Sequence, residues 1–144
     1  MAGYDVVERY ADLLEEQHEL VERMRGVMDA APERQRVRLE RLVELRRYCR
    51  PTQDDLRQAV AAPDGQAGAL YAMRAHLRVT DGHLAHLPDQ GDLGQIDDEP
   101  AREELLDLGR RLLQNRAELA ECVDVTTTGT SGPATVEELS LIHI

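Results

Sequence analysis

Leu70–Leu87 reads LYAMRAHLRVTDGHLAHL, and its phase decides the fold. Leu70, Met73, Leu77, Thr80, Leu84 and Leu87 recur at seam spacing, which on an α-helix gathers them into one stripe. The stretch also carries three of the five histidines of the chain. At about 100° per residue, His76 lies roughly 70° from the centre of the stripe, His83 roughly 90° and His86 roughly 150°. The spacing therefore points His76 into a helical core, leaves His83 at its rim and turns His86 to water.

The neighbouring segments repeat this pattern. Upstream, Val7, Tyr10, Leu14, Val21, Met24 and Met28 form a seam, with Val6, Leu13, Leu20 and Val27 beside it. These predict a helix from about residue 4 to 28, with Gln17 at the centre of its apolar face and His18 at the rim. Ala30-Ala31-Pro32 ends it, and Pro32 suits the opening of the next helix. A second helix is expected over about 33–48, with Pro51 kinking or ending it because the ring removes an N–H and crowds the preceding turn. Thr52-Gln-Asp-Asp55 has the form of a capping box and predicts a short helix through Val60. Pro63-Asp64-Gly65 reads as a turn.

After the helix built on Leu70–Leu87 (expected over 66–87), the stretch PDQGDLGQIDDE (88–99) reads as a flexible acidic loop. Asp97 or Asp98 can cap the last helix, with Pro100 in its first turn. That helix is expected to about Val123, with the seam Leu105, Leu108, Leu112, Asn115, Leu119 and Cys122. Residues 126–138 are polar and low in complexity, and read as a disordered tail. The final LSLIHI (139–144) resembles the in-frame translation of a transposase-based sequencing adapter end. On that reading these six residues are a non-native scar, and His143 is no ligand candidate. Four long amphipathic segments without strand-like alternation predict one all-α domain over 4–125, an up-down-up-down four-helix bundle with a kinked second helix.

Composition narrows the function classes. The formal net charge is −11, with 28 Asp and Glu against 17 cationic residues, every one of them Arg. That balance argues against nucleic acid or an anionic membrane as the main partner. No apolar run is long enough for a membrane span, and no signal peptide is visible. Two cysteines, Cys49 and Cys122, do not make a disulfide framework, so the expected setting is cytoplasmic. There is no Phe or Trp and only four Tyr, so the core must be built from Leu, Val, Met and Ala.

Chemistry-bearing motifs are scarce. The sequence has no phosphate loop, dinucleotide fingerprint, Cys-x-x-Cys pair, nucleophile elbow or His-Glu-x-x-His. His76, Asp81, His83 and His86 are ligand types for a divalent ion, but one helix supplies only two or three of them to one point. Surface or rim histidines are the plainer reading. Asn115 stands out, since an amide in a leucine seam costs stability and implies either register specification or a ligand position.

The order of elements resembles the haemerythrin-like, HHE cation-binding family, whose helical bundle holds a di-iron site. DVVERYADLLEEQHELVERM is similar to that family's first helix, and His18 takes its ligand position. RLERLVELRRYC is similar to the second, placing Cys49 where the family has His and Gln53 where it has a carboxylate. YAMRAHLRVTDGHLAHL is similar to the third, with His76 at the ligand position. LGRRLLQNRAELAECV is similar to the fourth, with Asn115 in place of His and Leu119 in place of Glu. The resemblance implies a degenerate member with remnant metal positions at His18, Cys49 and His76, whose side chains, with that of Asn115, should meet in one layer. Gln53, Asn115 and Leu119 then replace the remaining ligands. A non-catalytic bundle with a vestigial or altered metal site follows, with no cofactor expected beyond a possible iron or zinc. Two other classes are compatible: a helical adaptor or export-chaperone-like protein that binds partner helices through apolar faces and the methionines Met24, Met28 and Met73, and a mononuclear zinc or other divalent-metal protein.

Overall fold

The computed structural model describes residues 2–131, with side chains described for 5–128. The expected disordered segment beyond 131, the adapter-like 139–144 and His143 lie outside the described residues. Every regular element among the described residues is helical: α1 (Ala2–Val27), α2 (Glu33–Val43), α3 (Arg46–Ala61), α4 (Gly65–Leu84), α5 (Gln90–Leu93) and α6 (Glu99–Ser131), with a 3-10 turn at Met28–Ala30. Helix α1 packs against α6 and α3, α3 against α4, and α4 against α6. Helix α2 lies against α1 and α4 in continuation of α3. No helix of the described residues is long and apolar enough to cross a membrane.

The seams sort into two apolar clusters stacked along the helices. One contains Leu20, Val21 and Met24 of α1, Leu39 and Leu42 of α2, and Leu105, Leu108 and Leu112 of α6. The other contains Val7, Leu13 and Leu14 of α1, Leu56 of α3, Leu70 and Met73 of α4, and Leu119 of α6. Burying side chains of this size contributes about 1.5–3 kcal/mol each, and this is the main force holding the helices together. Between the clusters each long helix contributes a buried polar residue: Gln17, Gln53, His76, Thr80 and Asn115. The core is thus divided at mid-height by a polar layer.

Several local readings change in the structure. The break in the second segment falls at Glu44–Leu45, ahead of Pro51, and α3 runs through Pro51 and Thr52. Pro51 is the sixth residue of α3, so it costs the helix one N–H bond to the Arg47 carbonyl without ending it. Thr52 is therefore an interior residue and caps nothing. The acidic stretch 88–99 is anchored: Leu93 and Ile96 are each only 1% exposed and plug the end of the first cluster. Asp89 caps α5, accepting from the Asp92 N–H at 2.8 Å, and Asp98 caps α6, accepting from Ala101 N–H at 3.0 Å. At the end of α4, Arg38 donates to the carbonyls of His86 (3.0 Å) and Ala85 (3.3 Å), satisfying groups the helix leaves open. Helix α6 continues past Val125, where composition alone places the start of a tail, and Thr126 is buried with its hydroxyl donating to Cys122 O at 2.9 Å.

The α3–α4 turn depends on a close approach. A Cβ at Gly65 would run into the carbonyl oxygen of Ala59, a backbone atom that cannot step aside. Gly65→Ala should therefore destabilise by about 2 kcal/mol, against a gain of a few tenths to about 1 kcal/mol expected of Gly→Ala in an open helix. Urea unfolding monitored by circular dichroism checks this, with solvent-open Gly82→Ala as the control expected to be neutral or stabilising.

Candidate functional site

The polar layer is organised by Gln17. The α1 phase set by Val7, Tyr10, Leu14, Val21 and Met24 aims Gln17 straight at the axis, where it is 1% exposed. Its Nε2 donates to Thr80 Oγ1 at 3.2 Å. Its Oε1 lies 3.0 Å from His76 Nε2 and accepts from the Cys49 thiol at 3.3 Å. With that carbonyl facing it, His76 carries its proton on Nε2, and Nδ1 accepts from the Tyr10 hydroxyl at 2.8 Å. The Tyr10 hydroxyl also lies 3.1 Å from Met73 O, and the two rings meet edge to face at 5.6 Å. Three helices are tied together by one chain of contacts: Tyr10 and Gln17 from α1, Cys49 from α3, and His76 and Thr80 from α4.

Burial sets the protonation states. Exclusion of water pushes the His76 pKa down to about 4 and the Cys49 thiol up to about 12, and it raises the Tyr10 phenol well above its ordinary value. All three groups are neutral at pH 7, and the layer carries no formal charge. Both nitrogens of His76 and the Cys49 sulfur are already engaged within the layer. The arrangement cross-links helices; it presents no free base and no thiolate.

The residues anticipated as ligands do not all meet. Cys49 and His76 do meet at one level, through Gln17. His18 does not join them: one residue on from Gln17 and so about 100° around α1, it sits at the rim, 3.7 Å from Glu22. Asn115 lies at the same level of the core but turns to α1, its Nδ2 donating to Leu13 O at 3.0 Å and Glu16 Oε1 at 3.1 Å, while its buried Oδ1 has no partner. Gln53 donates to Ala11 O at 3.0 Å and reaches Glu15 Oε1 at 3.4 Å. Leu119 is fully buried in the second apolar cluster. Asp81 is exposed and pairs with Arg116 at 2.8 Å, and His83 donates from Nδ1 to Val79 O at 2.9 Å, so the histidines of α4 do not converge. Among the described residues no three His, Cys, Asp or Glu side chains stand close enough to hold a metal ion.

Gln17 is the residue that motif reasoning passes over. Its signal was its position at the centre of the α1 face, and an amide at such a point must find partners across the core. Tyr10 and Thr80 carry the same signal, each lying on the seam of its helix. No family model matches this chain, and neither a curated protein nor a solved structure matches it.

Two measurements bear on the layer. Gln17→Leu should cost about 2–4 kcal/mol in denaturant melts, because it strips partners from His76, Cys49 and Thr80 together. Asn115→Leu should change stability by no more than about 1 kcal/mol in either direction, since it also removes the orphaned Oδ1. Equal costs for the two would contradict the asymmetry seen here. The second measurement is pH dependence. The folded-state pKa of His76 lies below its unfolded value, so the unfolded chain binds the extra proton as pH falls from 6.5 towards 4. Stability is complete above the unfolded pKa and declines across that window, by on the order of 3 kcal/mol from this one group. Wild type should lose that much more than His76→Gln between pH 7 and pH 4. Parallel losses would show that His76 is not held neutral by the fold.

Proposed function

We propose that this chain is a haemerythrin-like, up-down-up-down four-helix bundle in which a neutral hydrogen-bonded layer replaces the metal site, and that it works without catalysing iron or oxygen chemistry. One observation carries the reading: the Gln17 amide stands between His76 and Cys49 and occupies the donor and acceptor positions a metal would need. The helix contacts of α1, α3, α4 and α6 agree with the topology, and the four resemblance segments fall on these helices with α2 as the first part of the second.

A di-iron centre does not fit the residues present. It requires several imidazoles and bridging carboxylates, and the layer offers one imidazole, one thiol and no carboxylate. Two ferric ions at this level would lie in a dry core without charge compensation. A single divalent ion meets a different obstacle. Zinc needs nitrogen at about 2.0 Å and thiolate sulfur at about 2.3 Å. Here Gln17 Oε1 is interposed at 3.0 and 3.3 Å, and the thiol is held protonated by burial.

Purified protein should accordingly carry well under one iron or zinc per chain by elemental analysis and show no oxo-bridged di-iron absorption. Cobalt(II) titration should give no thiolate charge-transfer band. Stoichiometric di-iron after anaerobic ferrous loading would overturn the proposal. A one-to-one zinc that disappears in His76→Ala would replace it with the mononuclear metal reading.

A further inference from the structure

Charge is not spread evenly over this acidic molecule. Helices α1 and α6 each carry seven carboxylates, against three and four arginines respectively. Helices α2 and α3 reverse the balance, each with four arginines against two carboxylates, and α4 has two arginines against one. Because α1 packs on α6 and α3 on α4, the acidic helices share one side and the cationic ones the other. The single carboxylate of α4, Asp81, is bound to Arg116 of α6. The outer face of α4 therefore presents Arg74 and Arg78, of which Arg74 leans to α6 and donates to Thr127 Oγ1 at 3.0 Å.

A groove runs along this cationic side. Its central part, about 510 Å³, lies between α3 and α4 over a floor of Ala59, Gly68, Ala72, Ala75 and Val79. Tyr48 (43% exposed) and Tyr71 (77% exposed) stand beside it. It continues at one end into a depression of about 410 Å³ that shares Tyr48 and Val79 and adds Arg41 and His83. Beyond Tyr71 a third depression of about 300 Å³ adds Arg74 and Arg78. The carboxylates along the groove are Glu44, neutralised by Arg47 at 2.7 Å, and Asp55 on the α3 rim.

We propose that this α3–α4 face seats an acidic amphipathic helix of a partner protein, laid along α4 with its apolar stripe on the small-residue floor and its carboxylates towards Arg41 and Arg78. Small floor residues allow close approach of a helix, and the 20 residues of α4 give a track of about 30 Å, five to six turns. The exposed tyrosines supply rigid aromatic contacts of the kind that dominate such interfaces. Among the described residues a second copy offers little to the groove, because the apolar helix stripes are buried and the large exposed hydrophobics (Val37, Tyr48, Tyr71, Leu113, Val125) are scattered over four helices. A nucleic acid strand would meet the repulsion of a net charge of −11, and the floor offers methyl groups in place of a stacking platform. This inference is independent of the reading of the polar layer, since it uses only the outer surface.

The test uses the full chain and a synthetic helical peptide of about 20 residues, with leucine and alanine on one face and glutamates along one flank. Titrated into ¹⁵N-labelled protein, it should shift amides of α3 and α4 around Tyr48, Ala72 and Val79, leaving the α1–α6 side unmoved. Affinity should fall about tenfold in Tyr71→Ala and at least as much in the double reversal Arg41→Glu/Arg78→Glu, and the double variant should bind the same peptide with arginines in place of the glutamates. All these positions are partly or fully exposed, so melting temperatures close to wild type are expected and are measured alongside. Shifts on α1 and α6, or charge reversal without effect, would overturn the proposal. So would tighter binding of single-stranded oligothymidine at the same amides, or self-association through the groove by sedimentation.

Discussion

An amide buried between two leucine-rich clusters is tolerable only if both its ends are satisfied, and that constraint at Gln17 governs the centre of this molecule. The Nε2 has Thr80; the Oε1 has His76 and Cys49. Each partner comes from a helix other than α1, so satisfying one side chain fixes the axial position of α3 and α4 against α1. Leucine packing alone tolerates a shift of one helix by a turn, because one leucine resembles the next. A hydrogen-bonded layer does not, since any shift leaves several polar groups dry and unpaired. Stability lost by placing polar groups in the core is exchanged for a single register.

Neutrality follows from the same constraint. In the layer His76 uses one nitrogen as donor and the other as acceptor, which is the pattern of an uncharged imidazole. A proton added to Nδ1 would turn the Tyr10 hydroxyl from donor to acceptor, and Tyr10 could still give its own proton to Met73 O. The hydrogen bonds therefore tolerate the charged form. Burial is what opposes it, and burial likewise keeps Cys49 a thiol. A site built this way differs from a metal or acid–base centre in kind: nearby carboxylates such as Glu15 and Glu16 remain at the surface, tied to Gln53 and Asn115, and none enters the layer.

The helical class and most core positions were legible because the seams repeat over many residues, and errors in one position are corrected by the next. His76 and Asn115 were legible as buried for the same reason. Gln17 was visible in position but not in role, because a partner on another helix leaves no trace in local spacing. The family resemblance favours His18 by residue type, while the α1 phase favours Gln17 by direction, and in the structure direction decides which of the two reaches the layer. Boundaries were less legible where tertiary packing overrides a local rule. Pro51 is carried inside α3, with the turn at Glu44–Leu45 ahead of it, and the acidic 88–99 stretch is held by Leu93 and Ile96, two apolar residues too few to form a pattern.

The ion pairs explain how the charge asymmetry is compatible with folding. Two helices with seven carboxylates each would repel along their shared edge, and Arg9–Glu118 and Arg23–Glu104 cross that edge between α1 and α6. Arg50–Glu15 and Arg116–Asp81 do the same for the α1–α3 and α4–α6 edges. Each exposed pair contributes no more than about 1 kcal/mol, yet together they place most of the bridging arginines at edges that touch an acidic helix. The α3–α4 edge has no acidic helix to neutralise and is lined instead by alanine, glycine and tyrosine. Arg41 and Arg78 border that face. The same distribution that lets α1 and α6 pack side by side leaves a positive, apolar-floored face on the opposite side of an otherwise acidic protein.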